Sequence, residues 1–384
     1  VNPHVAGAQA AFAFNALAYL PLLLAFVLWR RTRLPSRLPP ERITRAMVSG
    51  VRYAFHSHPI RTVLIRSFTF GFAGATATAL APLIAKELLG GNASTFGILL
   101  GAGGVGAVIG ALLINTFRAH VGTEKACSSL AILSGLALIT VGLSRSLPLT
   151  CLGMLLAGGA TMLTISLLNI SVQLCAPRWV TARALSLFSS LLTGGIACGA
   201  WFWGTVANHW SIDIAIIASG ALMLCLPVFA LFLRLPEVTH LGAESANIEG
   251  EPEVGLAITM RSGPIVIEVE YRVEPDNARA YYTAMLELQK VRLRNGGFNW
   301  SIARDIGDPA LWTERFHFPT WGDYLHMRDR FTQADMQAQA AASALTVDGK
   351  ISRIRRGLER PFGSVRWKAG TPDPQQDSVV YMGP

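Results

Sequence analysis

Charge is the scarcest feature of this 384-residue chain: Asp, Glu, Lys and Arg make up 15% of it, against about 25% in ordinary soluble domains. With a mean hydropathy of +0.40, an ordinary soluble enzyme is excluded. Acid is scarcest in the first 237 residues, where Glu41, Glu87, Glu124, Asp213 and Glu237 stand beside 16 Lys and Arg. None of these carboxylates sits at the centre of an apolar stretch, so a membrane-embedded proton-coupling carboxylate is not offered here. No Gly-x-x-x-x-Gly-Lys-Ser/Thr run occurs, which leaves no basis for an ATP-driven pump. The five cysteines (Cys127, Cys151, Cys175, Cys198 and Cys225) lie inside apolar stretches and none follows residue 237. A disulfide framework and a zinc site are therefore not expected, and no metal or cofactor is called for.

What is present is length without charge. Residues 1–29, 67–85, 88–117, 126–144, 146–177, 184–212 and 214–233 carry no Asp, Glu, Lys or Arg, in runs of 19 to 32 residues. About 20 apolar residues span the hydrocarbon of a bilayer. Seven transmembrane helices are predicted, near 8–29, 64–86, 94–117, 126–144, 148–175, 184–207 and 213–233, making 1–237 an all-α membrane domain. Fourteen of the 16 basic residues fall in alternate connections, so the 30–66 loop and everything after Arg234 are predicted to be cytoplasmic and residue 1 extracytoplasmic. An odd number of spans, starting outside without an initiator Met or a signal peptide, reads as a fragment lacking upstream spans. A natural seven-span protein is the alternative.

The nine arginines between Arg30 and Arg66 raise the question of nucleic acid. Ile43, Met47, Val51 and Ala54 keep helical spacing, however, so an amphipathic helix lying on anionic lipid is expected and nucleic acid is not. Gly97 and Gly101, Gly106 and Gly110, and Gly195 and Gly199 stand four apart, a spacing that lets helices pack closely in lipid.

After Arg234 the composition changes. Residues 238–262 form an acidic linker rich in Gly and Pro. From Ile265, Ile267, Val269, Tyr271 and Val273 alternate with mostly polar residues, which marks a half-buried strand. Tyr281, Met285, Leu288 and Val291 keep helical spacing up to Asn295-Gly296-Gly297. Strands at 300–306 and 312–318, helices from Trp321 and from Gln333, and a strand at 351–358 complete a β-α-β-β-α-β order. That order predicts an α+β ferredoxin-like domain over 263–361. The last residues, 362–384, are predicted to be disordered.

Particular strings carry a resemblance to known families. Arg178-Trp179-Val180-Thr181-Ala182-Arg183-Ala184 followed by Gly194-Gly195-Ile196-Ala197-Cys198-Gly199 is similar to the eleventh span of bacterial major facilitator superfamily exporters of the enterobactin type. Ala11-Phe12-Ala13-Phe14-Asn15-Ala16-Leu17 resembles the sixth span of that subgroup. Arg118 and Gly122 match the family's short basic loop, whose fuller pattern, with its Asp, is not present. The resemblance implies a partial facilitator fold in the bacterial inner membrane, entered at its sixth span. It also implies a missing N-terminal half as partner and efflux of a small, siderophore- or drug-like molecule by alternating access. It further implies that Asn169, Gln173, Thr76 and Thr78 line the substrate pathway and that Arg118 and Gly122 form a gating loop.

Trp300-Ser301-Ile302, Glu314-Arg315-Phe316, Thr320-Trp321-Gly322-Asp323-Tyr324-Leu325-His326 and Arg330-Phe331-Thr332 resemble the antibiotic-biosynthesis-monooxygenase-like domain. This second resemblance implies a homodimerising or regulatory appendage. Trp300, His317, Trp321 and His326 are its candidate pocket residues. His317, between Phe316 and Phe318, is expected to face solvent, and Trp321 to anchor the core. No catalytic residue is assigned. The alternative reading is a membrane-tethered monooxygenase-like enzyme.

Overall fold

An uncharged run folds as helix in a nonpolar solvent because every backbone N–H and C=O must find its partner within the segment. The computed structural model describes residues 13–29, 43–120, 122–235, 252, 254–347 and 349–359, in two units, Val1–Glu41 and Arg42–Pro384. The first unit contains α1 (Ala13–Leu28), interrupted by a turn at Tyr19 before Pro21. Its described residues are almost all apolar, as suits a membrane helix. The tail predicted at 362–384 and most of the 238–262 linker lie outside the described residues.

The second unit opens with α2 (Ile43–His56). Among the described residues five helices are long and apolar enough to cross a membrane: α3 (His58–Leu88), α4 (Ala93–His120), α5 (Thr123–Leu143), α6 (Leu147–Cys175) and α7 (Thr181–His209). The following helix α8 (Ile212–Phe232) and α1 count as shorter apolar helices, α8 over 212–228. Helix α3 begins six residues before the expected boundary at 64. Pro59 suits a first helical turn, and the charges of Arg61 and Arg66 are carried on long apolar stems.

Glycine sets the closeness of the packing. A Cβ at Gly106 would lie 1.9 Å from the Leu155 carbonyl oxygen, one at Gly110 2.5 Å from Gly159 O, and one at Gly158 2.2 Å from Gly103 O. So α4 and α6 touch backbone to backbone. Helices α3 and α7 meet the same way, with Gly195 against Phe68 O at 2.3 Å and Gly199 against Phe72 O at 2.4 Å. Gly97 and Gly101, expected to belong to the packed stripe, have nothing within 4 Å of a Cβ. Gly97 and Gly101 each stand nine residues, about two and a half turns, from Gly106 and Gly110, so they lie on the side of α4 away from α6.

In the C-terminal part, β1 (Ile265–Arg272), α9 (Ala278–Arg294), β2 (Phe298–Arg304), β3 (Leu311–Phe318), α10 (Trp321–Asp329), α11 (Gln333–Ser343) and β4 (Arg353–Leu358) follow one another. The sheet is antiparallel, in the order β2-β3-β1-β4. Ile265, Ile267, Val269 and Tyr271 of β1 are buried in a core shared with Tyr281, Met285 and Leu288 of α9 and Tyr324 and Met327 of α10. Thr320 caps α10 by accepting from Asp323 N, and Thr332 with Asp335 forms a capping box on α11. Strand β2 starts two residues earlier than expected. A bulge between Phe298 and Ser301, with Asn299 at φ 49°, absorbs the shift.

Candidate functional site

The polar residues of the bundle separate into two groups. Thr76 is fully buried, and its Oγ1 lies 2.7 Å from Ser219 Oγ, which in turn donates to Ala73 O at 2.6 Å. It fastens α3 to α8, where a buried hydroxyl without a partner would be costly. Thr78 is exposed and donates to Ala75 O of its own helix. Asn169 and Gln173 stand on one face of α6, where Gln173 Nε2 donates to Asn169 Oδ1 at 2.6 Å with Gln173 exposed. Of the four, Thr76 alone is fully buried, and this pair presents its amide groups at a partly exposed face. The Arg118 side chain lies outside the described residues, and Gly122 precedes the first turn of α5.

Charges pair at both ends of the bundle. At the end where α5 begins and α8 finishes, Arg66 donates to Glu124 Oε1 at 2.8 Å and Oε2 at 2.7 Å, and Leu235 N donates to Glu124 Oε2 at 2.7 Å. One carboxylate thus ties α3, α5 and the exit of α8. The sequence signal was available, because Glu124 is a lone acid in a connection that also carries Arg118 and Lys125. At the opposite end Arg145 meets Asp213 at 3.1 Å. Glu124→Ala is expected to cost about 1–2 kcal/mol and to loosen this end. With the other four cysteines replaced, Cys127, now buried, is expected to react several-fold faster with maleimide. An unchanged labelling rate would show that Glu124 does not close this end.

The C-terminal sheet carries a buried polar cluster that the sequence reading missed. Glu314 of β3, fully buried, accepts from Arg292 Nε at 3.0 Å and Nη2 at 3.2 Å, from Trp300 Nε1 at 2.9 Å and from Tyr271 OH at 3.1 Å. Gln339 of α11 accepts from Arg292 Nη2 at 2.6 Å and donates to Tyr271 OH at 3.2 Å. Burial opposes the charge on Arg292, and the Glu314 carboxylate together with Tyr271 outweighs it, so the guanidinium is held above its ordinary value. Burial, then Glu314, pushes the Tyr271 phenol up. The signal was two opposite charges on apolar patterns. Glu314 alternates with Phe316 and Phe318, and Arg292 falls eleven residues after Tyr281 on the buried stripe of α9.

Beside this cluster a cavity of about 350 Å³ lies between α10, α11 and the sheet, reaching Ile354 and Arg356 of β4. Trp300, His317, Trp321 and His326 do not line it. Trp300 is spent on Glu314. His317 points to the other face of the sheet, where it is nonetheless covered: Phe298 packs against its ring at 5.6 Å and its Nε2 lies 3.1 Å from Glu359. The expectation that it faces solvent fails because the β2 bulge turns Phe298 onto that face. Trp321 packs on Tyr324 in the core, with centroids 5.2 Å apart, and His326 sits half-buried on α10. Among the described residues no cluster of three or more His, Cys, Asp or Glu could hold a metal.

The C-terminal part also touches the bundle. Arg294, at the end of α9, pairs with Asp335 at the start of α11 and lies over the Tyr53 ring of α2, 5.5 Å from its centroid. Arg330 lies 4.3 Å over Trp179, in the 176–180 connection between α6 and α7, and Trp179 meets Tyr53 edge-on at 5.1 Å. Burial pushes the Tyr53 phenol up to about 12, with Arg294 opposing, so it stays neutral at physiological pH. Helix α2 is itself seated tightly on α7: a Cβ at Gly50 would lie 2.4 Å from Arg183 Cδ.

No curated protein matches this chain. The family described as transmembrane secretion effector, MFS_3, matches residues 4–362, from α1 through the C-terminal sheet. The long apolar helices are consistent with a membrane domain of this kind, and the chain belongs to this family of major facilitator membrane transporters.

Proposed function

We propose that the protein is a secondary exporter of small amphipathic molecules, siderophore- or drug-like, in a bacterial inner membrane. In this reading α1 and α3–α8 are seven spans of a facilitator fold. They rock against a second bundle by alternating access, and the end bearing Glu124 and Trp179 faces the cytoplasm. The family match over 4–362 carries the reading. It is supported by the concentration of Arg and Lys at that end. Asn169 and Gln173 are the pathway residues we favour, and the 118–122 connection is a gating loop. The C-terminal domain, whose strand order and antiparallel pairing suit a ferredoxin-like, monooxygenase-like fold, is a cytoplasmic regulatory appendage that pairs with a second copy. The reading as a tethered enzyme has less support, since Trp300, His317, Trp321 and His326 are not gathered at one cavity.

The test uses the full-length protein in energised membrane vesicles offered a panel of lipophilic cations and catechol-bearing acids. Inside-out vesicles are expected to accumulate at least one compound several-fold above vesicles without the protein, and Asn169→Leu with Gln173→Leu to abolish the excess. Uptake confined to right-side-out vesicles would overturn export, and no uptake in either orientation would overturn this substrate class.

A further inference from the structure

We propose that α2 is a membrane-surface helix with two partners. One face lies among acyl chains beneath anionic lipid headgroups and the other carries the C-terminal domain, so the lipid grip on α2 sets how firmly that domain is docked. The helix turns its faces the wrong way for a protein surrounded by water. Met47, Val48, Val51 and Phe55 are 40–62% exposed and lie within about 100° of one another around the helix axis. Ser49, Gly50, Tyr53 and Ala54, on the other side, are buried. A helix packed on a protein in water points polar residues outward. Here the outward arc holds those four apolar side chains and the uncharged Thr44. Spacing alone would put Ile43, Met47, Val51 and Ala54 on the lipid side. The packing turns Ala54 inward and sets Val48 and Phe55 on the outer face.

Connectivity brings this face to the bilayer boundary. Only Ser57 separates α2 from α3. Ser57 N donates to Tyr53 O at 2.9 Å and Arg61 N donates to Ser57 O at 2.9 Å, so the join has no slack. Helix α3 is long and apolar enough to cross a membrane, which puts Phe55 within a turn of the entrance to a span. Charge selects lipid as the occupant. Residues 30–66 carry nine Arg and one acid, Glu41, and such a surplus draws an amphipathic helix onto anionic headgroups. Arg61, exposed at the start of α3, has an apolar stem that lets its guanidinium reach that layer. On the opposite face of α2, Tyr53 lies under Arg294 of α9 and meets Trp179 edge-on. Helix α2 is thus a bracket between bilayer and C-terminal domain, and an α2 released from lipid takes Tyr53 with it. The proposal rests on α3 spanning a membrane and not on export.

The test uses the full-length protein in nanodiscs of phosphatidylcholine with and without phosphatidylglycerol. It needs no transport, so its failure is distinct from a failure of the export reading. With the five cysteines replaced, a spin label at Val51→Cys is expected to meet oxygen several-fold more than a water-soluble nickel chelate. A label at His56→Cys, exposed on the flank away from the apolar arc, is expected to show the reverse. Equal nickel access at both positions would put the arc in water. Shielding of position 51 from both reagents would put protein on it, either a second copy or another segment of the chain. Each of these results overturns the lipid surface. In the unmodified protein, phosphatidylglycerol is expected to slow hydrogen exchange several-fold across 43–56 and at 292–297. Exchange across 43–56 indifferent to lipid charge overturns the anionic partner even if the labelled variants do not fold. Slowing across 43–56 with none at 292–297 overturns the transmission to the C-terminal domain.

Discussion

Glu314→Ala is expected to destabilise the C-terminal domain by about 3–5 kcal/mol, because it leaves the Arg292 charge buried without its counter-ion. For a domain of this size that lowers the melting temperature by more than about 12 °C. The size of the effect follows from how completely the carboxylate is used. Four donors reach its two oxygens at 2.9–3.2 Å, and they come from α9, β1 and β2. Solvent screens the orphaned charge poorly where both partners are almost wholly covered, with side-chain exposures of 8% for Arg292 and 0% for Glu314. The paired change Arg292→Met with Glu314→Leu removes both charges and keeps apolar bulk, and it is expected to recover most of the loss. Calorimetry or hydrogen exchange of β1 and α9 in the intact protein reads both variants. A single variant as stable as the original, or a double variant as damaged as the single, would show that the charge pair is not what holds this core.

Gly106→Ala is expected to separate α4 from α6, at a cost near the upper end of the 1–3 kcal/mol or so typical of overpacking. The added methyl would meet a backbone carbonyl at 1.9 Å, and a backbone cannot turn aside as a flexible side chain can. Between helices in lipid there is no hydrophobic effect to draw them back together, and what is lost is the close van der Waals contact itself. Gly97→Ala and Gly101→Ala, on the same helix with open space around them, are expected to stay within about 0.5 kcal/mol of the original. Unfolding in graded detergent mixtures compares the three. If Gly106→Ala were as well tolerated as Gly97→Ala, the α4–α6 contact would not be the tight one described.

The α4 stripe shows where a sequence pattern stops being informative. Four glycines at two four-residue spacings form two pairs about half a turn apart, and only Gly106 and Gly110 meet a neighbour, because which side of a helix faces a partner is not written in its own spacing. Thr76 and Asn169 teach the same lesson. Both are uncharged polar residues in apolar runs, but one is consumed by Ser219 on another helix and the other pairs along its own helix with Gln173. In the C-terminal domain, period-two alternation placed β1, and the turn at Asp308-Pro309 bounded β3 to within one residue. The bulge at Asn299 then moved Phe298 beside His317, which alternation could not foresee. Glu314 and Arg292 were legible as charges out of place on apolar faces, and would have been the better guide to the domain's polar centre than its histidines and tryptophans.

Composition and periodicity alone therefore decided that the chain enters a membrane, where its apolar helices lie to within about six residues among the described ones, and in what order the C-terminal strands and helices follow. Those properties depend on local backbone satisfaction and on burial averaged along a segment, which each stretch of sequence carries for itself. Only the tertiary structure decided that Arg66 and Glu124 pair at one end, that Glu314 gathers Arg292, Trp300 and Tyr271, and that Arg294 and Arg330 settle on Tyr53 and Trp179. These contacts join residues tens to hundreds of positions apart. Their partners are set by how whole elements stack, which no local pattern encodes.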